Sequence, residues 1–234
     1  MINQYLSRKA VRNVDEQAIN KLGMPGVVLM ENAARGCVDW LLELGVAGPV
    51  CICAGKGNNG GDGFVIARHL ENRGFEVRVL LFAKPTELTG DALINFEIIN
   101  KAGSTIVELH DATPESITAA LAGSVWIIDA LLGTGTRVQD ANDKPNLREP
   151  FQSAIPIINQ QPAKRFAIDL PSGMDCDSGV PIDDSNHCIQ AHFTATFVAR
   201  KLGFKNDMTA QFLGNVRVID IGVPAAFLAQ LSEP

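Results

Sequence analysis

Three short polar stretches carry residue types that could do chemistry. Segment 54–63 reads Ala-Gly-Lys-Gly-Asn-Asn-Gly-Gly-Asp-Gly. Its glycines free the backbone to adopt positive φ and to approach a ligand closely. Its N–H groups arrive at the start of a helix, which suits an anion such as phosphate. Asn58, Asn59 and Asp62 add directional donors and acceptors. The second stretch is Asp129 with Gly133-Thr134-Gly135-Thr136-Arg137. The third is Asp169 with Ser172. A carboxylate half-buried where a strand meets solvent can act as general acid or base when burial raises its pKa. It can also hold a hard cation through oxygen. Asn59, Asp129 and Ser172 would offer oxygen alone with little charge, which suits a weakly held alkali cation better than zinc. Arg137 and Lys84 are candidate phosphate contacts, with plain solvated positions as the alternative. The histidines (His69, His110, His187 and His192) show no ligand spacing.

Two familiar patterns fail on these residues. Gly55-Lys56-Gly57-Asn58-Asn59-Gly60 fits G-x-G-x-x-G. The dinucleotide fingerprint also needs an acid at the end of the next strand for the ribose, and that strand ends Leu81-Phe82-Ala83-Lys84. The Walker pattern fails because no Lys-Ser or Lys-Thr follows the glycines. Neither a hydride-transfer site nor an ATP-hydrolysing loop is indicated. Asp129 and Asp169 each have a bland reading as turn formers, but two in matching positions beside a glycine-rich loop favour function.

The elements that must position these residues alternate between strand and helix. Ser7 caps a first helix in which Val11, Val14, Ala18 and Leu22 repeat at helical spacing, and Gly23 stops it. Pro25 suits the first turn of a second helix with an apolar stripe through Val27, Met30, Ala34, Val38, Leu41 and Leu42. Strands follow over 50–53, 77–82, 105–109, 125–128, 166–168, 193–198 and 216–221. Helices intervene over 64–72, 91–101, 113–121 and 147–159, and Pro224 opens a last one. This predicts an α/β fold: a Rossmann-like three-layer αβα sandwich with a mostly parallel sheet and an N-terminal helical extension. No linker or repeat divides the chain, so 1–234 is expected to be one domain. In such sheets ligands bind at the carboxyl ends of strands. All three polar stretches follow strands, so one rim could gather them.

Composition narrows the partners. The chain has 234 residues and a formal net charge of −6, which disfavours a nucleic-acid surface. No apolar run is long enough to span a bilayer, and the start lacks a signal-peptide pattern. The 5 cysteines form no Cys-x-x-Cys pair, and Cys51 and Cys53 are expected on one face of a buried strand. A reducing cytoplasm fits.

Taken together, Gly-Val-Val-Leu-Met-Glu-Asn-Ala-Ala over 26–34, the loop at 55–63, Asp129-Ala-Leu-Leu-Gly-Thr-Gly, Asp169-Leu-Pro-Ser-Gly-Met-Asp and Ile219-Asp-Ile-Gly-Val-Pro resemble the YjeF N-terminal domain family. The matches run in order over nearly the whole chain. Enzymatic members are isomerases: NAD(P)H-hydrate epimerases that interconvert the R and S forms of hydrated NADH and NADPH in nicotinamide nucleotide repair. The resemblance implies that fold, a homodimer and a potassium ion. It implies that Asn58, Asn59, Gly60, Gly61, Asp62, Gly133, Thr134, Gly135, Thr136, Arg137, Val138 and Gln139 line the substrate. Asn59, Asp129 and Ser172 would hold the ion, and Asp169 would contact the substrate near the reacting carbon; because inversion there needs proton transfer at a hydroxyl, Asp169 is taken as the catalytic acid/base. Members often carry Thr-Phe-Gly ahead of a lysine where this chain has Thr196-Phe197-Val198 before Lys201. Some members are fused to an ATP- or ADP-dependent dehydratase. The alternative is a non-catalytic nucleotide- or partner-binding and dimerisation module of the same fold. Retention of the Asn-Asn-Gly-Gly-Asp loop with Asp129 and Asp169 argues for the enzyme.

Overall fold

The computed structural model describes residues 5–135 and 147–231. The strands are β1 (Tyr5–Leu6), β2 (Val50–Ala54), β3 (Val77–Leu81), β4 (Ile106–Glu108), β5 (Trp126–Ala130), β6 (Lys164–Ile168), β7 (Phe193–Phe197), β8 (Arg200–Lys201) and β9 (Asn215–Ile219). The α-helices are α1 (Arg8–Leu22), α2 (Gly26–Glu43), α3 (Asn58–Glu71), α4 (Gly90–Ala102), α5 (Pro114–Leu121), α6 (Phe151–Gln160), α7 (Ala210–Leu213) and α8 (Ala225–Leu231). Seven strands form one sheet in the order β4-β3-β2-β5-β6-β7-β9. All of its pairings are parallel. The expected αβα sandwich is therefore present.

Burial on both faces explains why the strands read as nearly unbroken apolar runs. Val50, Ile52 and Ala54 of β2 face a core shared with α2, α3 and α4, and Val14 and Ala18 of α1 join it. Cys51 and Cys53 face the opposite core with α5 and α6. The five cysteines are free and buried, as the core-packing reading of Cys51 and Cys53 expects.

Local signals set several boundaries. The Ser7 hydroxyl accepts a hydrogen bond from the Ala10 N–H at 3.2 Å, and Gly23 ends α1 in the left-handed region. Three expectations need correction. Pro25 lies just outside α2 as its N-cap, with extended backbone. The helix expected over 64–72 begins at Asn58, because the second half of the glycine-rich stretch is already helical. The helix expected from 147 begins at Phe151. A further two-stranded parallel sheet joins β1 to β8, and pieces of two residues show no alternation to read.

Candidate functional site

The strand order reverses direction between β2 and β5. The chain runs outward from β2 through β3 to β4, then returns to place β5 on the other flank of β2. The crevice above this switch point is where open parallel sheets hold ligands. Ala54 stands opposite Ala130, and Asp129 stands between Cys53 and Ala167. A cleft of about 430 Å³ opens there. The start of α3 contributes Asn58, Asn59 and Asp62, and the turn before it contributes Lys56 and Gly57. Residues 131–135 after β5, Asp169 after β6, and Phe197 with Val198 at the end of β7 add further walls. The three polar stretches thus converge at one end of the sheet, each sending residues to this cleft.

The glycines of 55–63 serve a purpose other than the expected one. None of them has positive φ. A Cβ on Gly55 would stand 2.0 Å from the Leu131 carbonyl oxygen, and one on Gly60 would stand 1.9 Å from the Gly55 carbonyl oxygen. The glycines let backbone pack on backbone, so β2, β5 and α3 meet closely. Gly60 and Gly61 lie beneath the cleft surface, and a Cβ on Gly61 would meet Met30. The first helical backbone hydrogen bond runs from the Gly61 N–H to the Gly57 carbonyl. The N–H groups of Asn58, Asn59 and Gly60 therefore precede the intrahelical ladder, which leaves them for an anion.

Asp129 is not at the rim but wholly buried below it. Its carboxylate accepts from the Ser172 N–H at 2.8 Å, the Ser172 hydroxyl at 2.6 Å and the Leu131 N–H at 3.3 Å. Burial pushes its pKa up to about 6, against the pull of these hydrogen bonds. Ser172 Oγ also accepts from the Leu132 N–H at 2.9 Å. The Asn59 amide donates to the Leu132 carbonyl at 3.2 Å, while its own Oδ1 is buried with no hydrogen-bond partner. An unsatisfied buried acceptor costs free energy. A small cation coordinated here would satisfy it, and the surrounding donor set is all oxygen with a single carboxylate.

Asp169 pairs with Lys201, whose ammonium lies 2.5 Å from Oδ1 and is fully buried. The same ammonium donates to the Phe197 carbonyl at 3.0 Å. Among the described residues, Asp169 and Val198 are the two non-glycine residues with positive φ, both at 67°. For a β-branched residue this is a rare conformation that costs about 1–2 kcal/mol. Lys201 is thus tied into the site although valine stands at 198.

The remaining wall comes from α1, which supplies Val11, Arg12 and Asp15. Arg8 holds that helix down: its guanidinium meets Asp175 Oδ2 at 2.7 Å, and its N–H donates to Asp177 Oδ1 at 2.7 Å. Burial pushes Asp15 up to about 6, reinforced by Asp169 and opposed by Lys201. Burial also pushes Asp62 well above the usual carboxylate range, with Asp169 and Asp15 adding to it. Sequence reading missed Lys56, Arg12 and Asp15. Lys56 was in plain view inside the loop, but Arg12 and Asp15 look like ordinary polar positions of an amphipathic helix. Lys84 does not line the cleft; its backbone N–H donates to Glu87. Thr136, Arg137, Val138 and Gln139 fall outside the described residues. Asp183, Asp184 and His187 cluster elsewhere, a grouping that sequence spacing did not suggest.

The segment 26–34 acts from behind. Glu31 bonds Arg68 and His69 of α3, and the Asn32 amide donates to the Ile221 carbonyl at 3.0 Å. These contacts fix α3, and with it Asn58 to Asp62, against α2 and the segment after β9.

A sequence profile described as "YjeF-related protein N-terminus" matches residues 26–203. A Pirellula staleyi protein named NAD(P)H-hydrate epimerase is 43% identical over 231 residues, covering 98% of this chain and 97% of the relative. A Rhodopirellula baltica protein of the same name is 41% identical, covering 95% and 86%. The Archaeoglobus fulgidus bifunctional NAD(P)H-hydrate repair enzyme Nnr is 38% identical over 96% of this chain, which spans only 43% of that longer protein. The crystal structure of the yeast protein ynu0 superposes with a TM-score of 0.77 at 22% identity, over 98% of this chain and 94% of that one. It corroborates the fold.

Proposed function

The chain belongs to the family of the YjeF-related protein N-terminus, and from that membership we propose that it is an NAD(P)H-hydrate epimerase acting in nicotinamide nucleotide repair. The observation that carries this reading is the near-full-length identity to relatives of that name, on a chain whose switch-point cleft holds Asp169 paired with a buried ammonium. The substrate is the R or S form of hydrated NADH or NADPH. Its hydrated carbon bears a hydroxyl and the ring nitrogen, so it is a carbinolamine. Inversion needs a proton moved at the hydroxyl and transient positive charge stabilised. Asp169 is the acid/base, and its carboxylate also favours a cationic ring.

Substrate is held by Asn58 to Asp62 and by 133–139, including Thr134, Gly135, Thr136, Arg137, Val138 and Gln139. The N–H groups at the start of α3 take a phosphate. Asn59, Asp129 and Ser172 would hold a potassium ion, which would supply fixed positive charge and a partner for the unsatisfied Asn59 oxygen. We further assign the chain as one domain and as a cytoplasmic homodimer. The buried free thiols support a reducing compartment. Exposed Ile94 and Ile98 on α4 offer apolar surface for a second copy. Among the described residues no helix is long and apolar enough to cross a membrane.

The test supplies purified protein with an unequal R/S mixture of hydrated NADH and follows the return to equilibrium by chromatography, in potassium chloride and in choline chloride. Acceleration over buffer, greater in potassium, is expected. Buffer-level rates in potassium would instead favour the binding-module reading.

A further inference from the structure

The cleft contains more carboxylate than one proton transfer requires. Asp169 has a dedicated cation in Lys201 at 2.5 Å. Asp15 lines the same cleft from α1, a different wall, and among the described residues its carboxylate forms no ion pair or hydrogen bond. Helix α1 is held in place by Arg8 on Asp175 and by β1 on β8, so this wall is built into the fold. Asp62, its carboxylate also without a hydrogen bond among the described residues, is shared between the cleft and a smaller cavity of about 120 Å³. Asp15 lines that cavity too.

Inversion at a carbinolamine sets a geometric demand. If the hydroxyl leaves from one face of the ring, water must return to the other. Departure needs a proton given to the leaving oxygen, and return needs a proton taken from the incoming water. One fixed carboxyl on one face cannot do both. We propose that Asp15 is a second catalytic acid/base of this site, serving the ring face opposite Asp169; this rests on the epimerase reading above. In one direction protonated Asp15 gives its proton to the hydroxyl. The C–O bond breaks with its electron pair on oxygen, water leaves, and the nitrogen lone pair forms the C=N bond of an iminium. Water then adds from the Asp169 face, the C=N electrons return to nitrogen, and Asp169 takes the released proton. The net result is an inverted carbon and one proton moved from Asp15 to Asp169. The reverse reaction exchanges the roles, and Asp62 with the small cavity returns the proton between them.

The singly protonated pair is the working form. The groups facing Asp15 are Asp169 and Lys201 at the strand ends, Asp62 on α3, Lys56 before it, Asp91 on α4 across the small cavity, and Arg12 and Glu16 on α1. Lys201 pairs with Asp169 at 2.5 Å, while burial and Asp169 push Asp15 up to about 6, so Asp15 holds its proton up to mildly acidic pH.

The experiment compares wild type, Asp15→Asn and Asp15→Glu in the R/S relaxation assay, in both directions, across pH and in ¹⁸O water. Asp15→Asn should lower kcat about 100-fold with KM within about twofold, and it should lose the alkaline fall of kcat/KM. Asp15→Glu should keep that fall at a shifted pH. Wild type should exchange the carbinol oxygen with solvent once per inversion. A wild-type-like rate and pH profile in Asp15→Asn, or inversion with the substrate's own oxygen retained, overturns the proposal. A wild type with no rate above buffer defeats the epimerase reading itself, which is a separate outcome. Melting temperature reports whether each variant is folded, and if Asp15→Asn is not, the Asp15→Glu profile and the wild-type ¹⁸O result decide.

Discussion

Asp15 has an energetic signature independent of catalysis. Its folded pKa of about 6 lies above the ordinary 3.8, so folding favours the protonated form. The stability this confers is present in full below about pH 4 and is lost as pH rises through 6. Asp15→Asn should therefore gain up to about 3 kcal/mol over wild type at pH 8 compared with pH 4, read as midpoints in urea. A stability difference that does not change with pH would sink this account. Lys201 makes the opposite case. Removing the ammonium in Lys201→Met leaves the Asp169 carboxylate without its cation and with only the Phe197 N–H, at a cost of about 3–5 kcal/mol, and a melting temperature within a degree or two of wild type would contradict that. Asp169 could be found in the sequence because it stops an apolar strand. Asp15 could not: a helical stripe marks which side is buried, but a carboxylate at the edge of the stripe looks the same whether it meets water or another carboxylate.

Helix α3 shows how an element can be located and its boundary still be misread. Five glycines argue for a loop, since each costs about 0.5–1 kcal/mol inside a helix. The close approach of β2, β5 and α3 requires that cost, because a side chain at Gly60 would collide with backbone. Gly60→Ala should destabilise the fold by about 1–3 kcal/mol. Gly57→Ala, which meets nothing within 4 Å, should stay within about 0.5 kcal/mol of wild type. Denaturant midpoints separate the two, and equal losses would return these glycines to the role of ligand-facing backbone. The other boundary errors were small where caps were explicit, as at Ser7 and Gly23, and larger for α6, which opens at Pro150 without a side-chain cap.

At the scale of the molecule, the alternation of strands and helices revealed the parallel sheet, and the strand-end positions of Asp129 and Asp169 pointed to the end of the sheet where the cleft opens. What stayed hidden was long-range. The order β3-β2-β5 that creates the crevice is a choice of neighbour, and periodicity encodes only the faces of each element. The parallel pairing of Tyr5 with Arg200 and Leu6 with Lys201 is the extreme case. It sets the first described residues beside the lysine that holds Asp169, and from there α1 runs along the cleft carrying Asp15. During synthesis from the N-terminus, α1 leaves the ribosome long before its partner strand exists. The walls of the cleft can close only after β7 and β8 have been made, and pairings so distant in sequence form slowly. The reactive pocket is thus a late product of folding, and a nascent or truncated chain that stops before Lys201 carries α1 and the Asn-Asn-Gly-Gly-Asp segment without an assembled centre.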